Sequence, residues 1–199
     1  MEEPPPSEET PIRKRKIHEL FKGTDWTVHC NGVVFHVSKE DMKESGYFAS
    51  LMEDSQCKEA EIMNAPPHVL AVLLHWARCK TVKLSDCKHA DINSLLQLAD
   101  QLLFQDIAKQ MISCIAALAD TKNDTLDDIA IDLLATATER RMTGLHDVLI
   151  RHVYTKKQGV LEPRNFKKLS LLPSSVLVHM LLAKQHSYCA CVSCNLLKN

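Results

Sequence analysis

Trp26-Thr27-Val28-His29-Cys30, Asn31-Gly32, Val33-Val34-Phe35-His36-Val37: two β-branched and aromatic runs flank an Asn-Gly pair. Asn and Gly both tolerate the positive φ that a two-residue type I′ turn demands, so this stretch predicts a β-hairpin. Downstream, Ser38 with Asp41 three residues on resembles a capping box, which starts a helix directly after the second strand. A further short helix is expected over Tyr47–Met52, with Phe48, Leu51 and Met52 facing inward, and Ala60–Met63 reads as a weak third strand. Pro66-Pro67 suits the first turn of a helix whose apolar face is Val69, Val72, Leu73 and Trp76. Thr81–Leu84 alternates like a short edge strand. Helical spacing then carries Ile92, Leu95, Leu96, Ala99 and Leu103, and after them Ile107, Met111, Cys114, Ile115 and Leu118. The expected class is α+β, with the sheet concentrated early.

Beyond Asn123-Asp124, Thr125 with Asp128 repeats the capping pattern, and Leu126, Ile129, Ala130, Leu133, Leu134 and Ala137 form a broad apolar stripe. Leu145, Val148, Leu149 and His152 continue on a second helix after Gly144. Phe166 and Leu169 anchor a short turn, and Ser174 or Ser175 can cap a last helix through Val178, Leu181 and Leu182. This part reads as all-helical. The organisation expected is a disordered acidic, Pro-rich tail over 1–12, an α+β domain over 13–118, a helical extension over 123–185 and a Cys-rich tail over 186–199.

Composition narrows the function. The 199 residues are 45% hydrophobic, enough for a sizeable core, and 24 basic residues nearly cancel 25 acidic ones. A net charge of −1 gives no general attraction to nucleic acid or to an anionic membrane. No run approaches the roughly 18 apolar residues of a membrane span, and the N-terminus lacks the layout of a signal peptide, so an intracellular location, cytoplasmic or nuclear, is expected. Five of the eight cysteines (Cys30, Cys57, Cys79, Cys87 and Cys114) are scattered singly, as small buried hydrophobes of a reducing compartment would be. Nucleotide-loop, zincin and nucleophile-elbow motifs are absent, and no nucleophile is paired with a base, so an enzyme is not expected. His68 and His75 lie seven apart on one predicted helix with no acidic residue on it, and read as ordinary core-edge or surface histidines.

Residues 25–115 resemble the BTB/POZ domain family. The resemblance rests on Asp25 opening the first strand, the Asn31-Gly32 turn, Phe35-His36-Val37-Ser38-Lys39 and Ser45-Gly46-Tyr47-Phe48. It continues through Val69–Trp76 and Leu95-Leu96-Gln97-Leu98-Ala99-Asp100-Gln101-Leu102. This chain departs from the pattern at Ser38, where the family has His, and at Arg78-Cys79-Lys80, where it has Tyr-Thr-Gly. The stretch from Phe35 to Phe48 is one residue short. Residues 123–185 resemble, more faintly, the BACK extension that follows many such domains.

The resemblance implies a homodimer. Ile17, Leu20 and Phe21, an amphipathic turn ahead of the first strand, would lie in its interface, and Asp25 and Lys39 would form a buried charged pair near it. It also implies a cullin contact through a hydrophobic-x-Glu motif before the third strand, which here is Cys57-Lys58-Glu59. The cofactor expectation is none, except at the C-terminus. There His186, Cys189, Cys191 and Cys194 offer four soft ligands for zinc, although so compact a run lacks the separated elements of most structural sites. The same tail can instead be read as a partly exposed segment of reactive thiols.

Three functions stay open. The leading one is a dimeric interaction adaptor, serving a cullin-type ubiquitin ligase and an unidentified client. The second is a nuclear, transcription-associated regulator, favoured by the basic run Arg13–Lys16 but without a groove for direct DNA contact. The third is a small metal- or redox-responsive protein acting through the tail.

Overall fold

The computed structural model describes residues 25–54, 57–120, 126–155, 166–178 and 180. Among these the order is β1 (Trp26–Cys30), β2 (Val33–Val37), α1 (Lys39–Met42), α2 (Gly46–Glu53), β3 (Glu59–Glu61), α3 (Pro67–Cys79) and α4 (Ile92–Gln101). Helices α5 (Gln105–Asp120), α6 (Ala130–Glu139), α7 (Thr143–Thr155) and α8 (Phe166–Leu169) complete it. The expected α+β class is what the chain adopts. All three strands precede α3, in the sheet order β2-β1-β3.

The described residues divide into two compact units, one within 25–81 together with 98–105, the other within 82–97 together with 106–180. In the first unit the hairpin forms as its residues dictate. Asn31 has φ 46° and Gly32 φ 79°, the two positive values of a type I′ turn, and β1 and β2 pair antiparallel from Trp26↔Val37 to Cys30↔Val33. β3 then pairs parallel to β1, with Thr27↔Glu59 and His29↔Glu61 as partners. Alternation sorts the two faces. Trp26, Val28, Cys30, Phe35, Val37 and Ala60 are buried, whereas His36, Glu59 and Glu61 are exposed and His29 is half-buried.

Pro67 occupies the first turn of α3, where its missing N–H costs nothing, and Val69, Leu70, Leu73, Leu74, Trp76 and Ala77 form the buried face. Ser38 caps α1, though its hydroxyl accepts from the Glu40 N–H rather than from the third helical residue. Phe48 links the aromatic core, edge-to-face with Trp26 at 5.4 Å and at 6.0 Å from Phe104.

Two expectations give way. Thr81–Leu84 does not pair as a strand among the described residues. The buried Val82 donates its N–H to the Gln110 side chain at 3.1 Å, which removes the ladder, and Leu84–Asp86 winds into a 3-10 turn. Helix α4 also stops at Gln101, before Leu103. There the chain turns through φ 57°, with the Leu103 N–H on the Asp100 carbonyl and the Phe104 N–H on the Ala99 carbonyl. That pair of bonds is a Schellman motif, built here without glycine, and it leaves Leu103 half-exposed.

This turn presents the last carbonyls of α4 to the N-terminus of α2. The Gly46 N–H meets the Leu103 carbonyl at 3.2 Å, and the Tyr47 N–H that of Leu102 at 3.4 Å. Ser45, fully buried, donates its hydroxyl to the Leu102 carbonyl and accepts from the Phe48 N–H at 3.1 Å.

In the second unit α6 and α7 pack on Leu133, Leu134, Ala137, Leu145 and Leu149, the stripes expected of the helical C-terminal part. α6 ends in a second glycine-free Schellman turn at Arg141, φ 55°. The expected cap at Thr125 and the helix beyond residue 180 fall outside the described residues.

Two stability measurements follow. Ser45→Ala removes one donor to a buried carbonyl and the cap of a buried amide, and should lower the unfolding free energy by about 1–3 kcal/mol in urea titration. Arg141→Gly, at an exposed left-handed position, should raise it by roughly 0.5–1 kcal/mol.

Candidate interaction surface

Three bonds hold the flanks of β3 to β1, two before the strand and one after it. Trp26, itself buried, donates its indole Nε1–H to the Cys57 carbonyl at 3.1 Å. The Thr27 N–H donates to the Lys58 carbonyl at 3.1 Å, and the Ile62 N–H to that of His29 at 2.8 Å. The Cys57 thiol donates to the Glu59 carbonyl at 3.1 Å, so its sulfur reaches forward to the start of the strand. The hydrophobic-x-Glu motif thereby sits on fixed backbone. Its apolar position is half-buried, and the Glu59 carboxylate stands 74% exposed on the outer sheet face.

There it meets His29 Nε2 at 3.3 Å. Spacing could not announce this pair, because it arises from parallel pairing across thirty residues of chain. Only the i, i+2 alternation of β1, which sends His29 to the face opposite Val28, hinted at it. Around the pair lies a shallow depression of about 540 Å³ between the Asn31-Gly32 turn and β3, lined by Val34, Glu61 and the exposed Met63 among others.

Asp25 is exposed, and its carboxylate accepts from the main-chain N–H of Lys39 at 2.9 Å. In the single chain the Asp25 carboxylate thus meets the main chain of Lys39 at the start of α1. That amide bond is the main cause holding the Asp25 carboxyl below its ordinary range. Ile17, Leu20 and Phe21, and the tail ligands His186, Cys189, Cys191 and Cys194, lie outside the described residues.

The cysteines divide differently from expectation. Cys30 is buried and donates to the Ala65 carbonyl at 3.2 Å, but Cys57, Cys87 and Cys114 are only half-buried and Cys79 is exposed. Burial, aided by Asp91 and Asp86, pushes the Cys87 thiol up to about 11, which keeps it protonated at neutral pH. Of the helix α3 histidines, His68 is exposed, and His75 lies 3.7 Å from the Cys79 sulfur.

A polar pair in the second unit escaped sequence reading. His152 Nε2 lies 2.7 Å from Asp127 Oδ1, both buried. His152 falls on the apolar stripe of α7, and a polar residue there calls for a buried partner. Its partner lies on the turn before α6, which no periodicity identifies.

No family model matches the chain, and no curated relative matches it. Among solved structures it is similar to the BTB domain of zebrafish PATZ1, at 18% identity and a TM-score of 0.42, over 57% of this chain and 99% of that one. It is similar also to the BTB (Tramtrack and Bric a brac) domain of human gigaxonin, at 18% identity and a TM-score of 0.41, with the same coverage. Both of those structures are BTB domains.

Because the folded-state Asp25 carboxyl is lowered, its stabilising contribution is present above the unfolded value and is lost as pH falls through the folded one. Asp25→Asn should therefore flatten the acid limb of the stability profile below about pH 4, read by urea titration from pH 3 to 7, while leaving the profile's shape near neutrality unchanged.

Proposed function

We propose that the chain is a non-enzymatic protein–protein interaction adaptor of the BTB type, which self-associates and recruits a cullin scaffold through the start of β3. The observation that carries this reading is the Glu59 carboxylate, exposed at the head of a strand that Trp26 and Thr27 fasten to β1. A recognition carboxylate needs a fixed backbone, so that ordering it costs little on binding, and an open face. Glu59 has both. Its contact with the His29 imidazole is a surface one worth about 0–1 kcal/mol, which a partner's cation can displace readily.

Cys57 stands where the resemblance leads one to expect a larger apolar residue, so this chain brings little anchor area to the contact. Self-association falls to Ile17, Leu20 and Phe21 ahead of β1, with Asp25 fixing the start of α1 beside them in sequence. Recruitment of a client falls to the helical extension over 123–185, which the BACK resemblance covers, or to a second protein.

Light scattering of the full chain, alone and with a cullin N-terminal fragment, tests the reading. A dimer whose mass increases with the fragment is expected. Glu59→Arg should abolish that increase, and Cys57→Met should strengthen binding by about tenfold, the effect of adding roughly 1–2 kcal/mol of buried apolar side chain. A monomer indifferent to cullin would overturn both parts.

A further inference from the structure

The last turn of α3 carries a histidine and a cysteine that the adaptor reading leaves without a part. His75 and Cys79 stand four residues apart, so both fall on one face, and Cys79 is the last residue of the helix. The Cys79 sulfur lies 3.7 Å from His75 Nε2 and 3.8 Å from Nδ1. Cys79 is exposed and His75 half-buried, so solvent reaches the pair. The sulfurs of Cys30, Cys57 and Cys87 donate instead to main-chain carbonyls. Cys79 also lies in the Arg78-Cys79-Lys80 stretch, where this chain departs from the family pattern, so the resemblance gives it no role.

Two donors that share a metal must stand at a set separation. With zinc about 2.3 Å from sulfur and about 2.0–2.1 Å from nitrogen, a tetrahedral angle places the two ligand atoms about 3.6 Å apart. His75 and Cys79 already stand at that distance, on the helical spacing by which two ligands on one face chelate a metal. We propose that His75 and Cys79 form a binding site for a soft transition-metal cation, Zn2+, through the imidazole Nε2 and the Cys79 thiolate. The inference goes beyond the adaptor reading and stands without it.

The donor set and its surroundings support the choice of ion. Helix α3 carries no carboxylate, so magnesium and calcium, which ask for oxygen ligands, find none on it. Nitrogen with sulfur selects zinc. The helix ends at Cys79, and its last carbonyls give that end a partial negative charge, which favours a cation. Arg78 and Lys80 flank the thiol and favour its thiolate form, while the Lys80 ammonium is itself 2.7 Å from the Glu44 carboxylate. On binding, a metal–sulfur bond replaces the S–H bond and the proton passes to solvent, with no change of oxidation state. Among the described residues no three His, Cys, Asp or Glu side chains gather. The remaining positions on the ion therefore fall to water, which makes the site open and exchangeable rather than a closed structural one.

Alkylation of the full, reduced chain with iodoacetamide, followed cysteine by cysteine by peptide mass spectrometry, tests the site with Zn2+ as the probe. Zinc at about ten times its dissociation constant should slow Cys79 roughly tenfold, because only the metal-free thiol reacts, and a chelator should restore the rate. Mg2+ at the same concentration should leave the rate unchanged. In His75→Gln the thiol remains, and most of the protection by zinc should be lost. A Cys79 that zinc does not slow, or slows equally in His75→Gln, would overturn the proposal. The thiolate-to-cobalt absorption of the Co2+-loaded full chain separates this site from the C-terminal tail. It should survive replacement of Cys189, Cys191 and Cys194 together by Ser, and vanish when Cys79→Ser is added. Absorption lost with the tail cysteines alone would sink the idea. Neither readout involves cullin or self-association, so failure of the adaptor reading and failure of this one are told apart.

Discussion

In the first unit the end of one helix is closed by the beginning of another. The carbonyls of Leu102 and Leu103, left without intrahelical donors where α4 stops, receive the N–H groups of Gly46 and Tyr47 and the Ser45 hydroxyl. Those amides are themselves the unpaired donors at the start of α2. Opposite partial charges thus meet, and each end satisfies the other. The arrangement constrains side chains as well. A Cβ at residue 46 would stand 3.1 Å from that of Leu103, so any other residue there would make the Leu103 side chain give by a few tenths of an ångström, although the φ is ordinary. With α2 seated, Phe48 is driven between Trp26 and Phe104, and Trp26 is held where its indole reaches the Cys57 carbonyl. The surface presented by β3 therefore depends on a helix junction elsewhere in the same unit.

What the sequence could disclose follows from the range of each interaction. The hairpin was legible because Asn31-Gly32 encodes its turn in two adjacent residues, and α3 because Pro67 and a strong apolar periodicity agree. The end of α4 was not, since its left-handed residue is Leu103 rather than the glycine that usually signals such a turn. Thr81–Leu84 misled for the opposite reason. Its alternation was genuine, but strand pairing needs a neighbour, and Val82 found Gln110 instead.

The same division runs through the surface. Glu59 was found from a three-residue pattern carried by a family resemblance. Its companions His29 and Trp26 were not, because only parallel pairing with β1 brings them alongside. Asp25 meets Lys39, the residue paired with it in the sequence reading, but through the main-chain amide. A carboxylate beside a new helix competes for backbone N–H groups as readily as for an ammonium, and the Lys39 amide won. The buried His152–Asp127 pair belongs to this class of long-range, polar and aperiodic contacts.

The parallel union of β1 and β3 also orders events in time. β1 and β2 can close across two residues, a local step that hairpins complete in about 1–10 microseconds. β3 can join only after some thirty residues, including α1 and α2, have been drawn into a loop, and its three residues return few bonds for that lost freedom. Loop closure therefore costs β3 more than it costs the hairpin, so the strand that bears Glu59 is expected to join the sheet after β1 and β2 have paired.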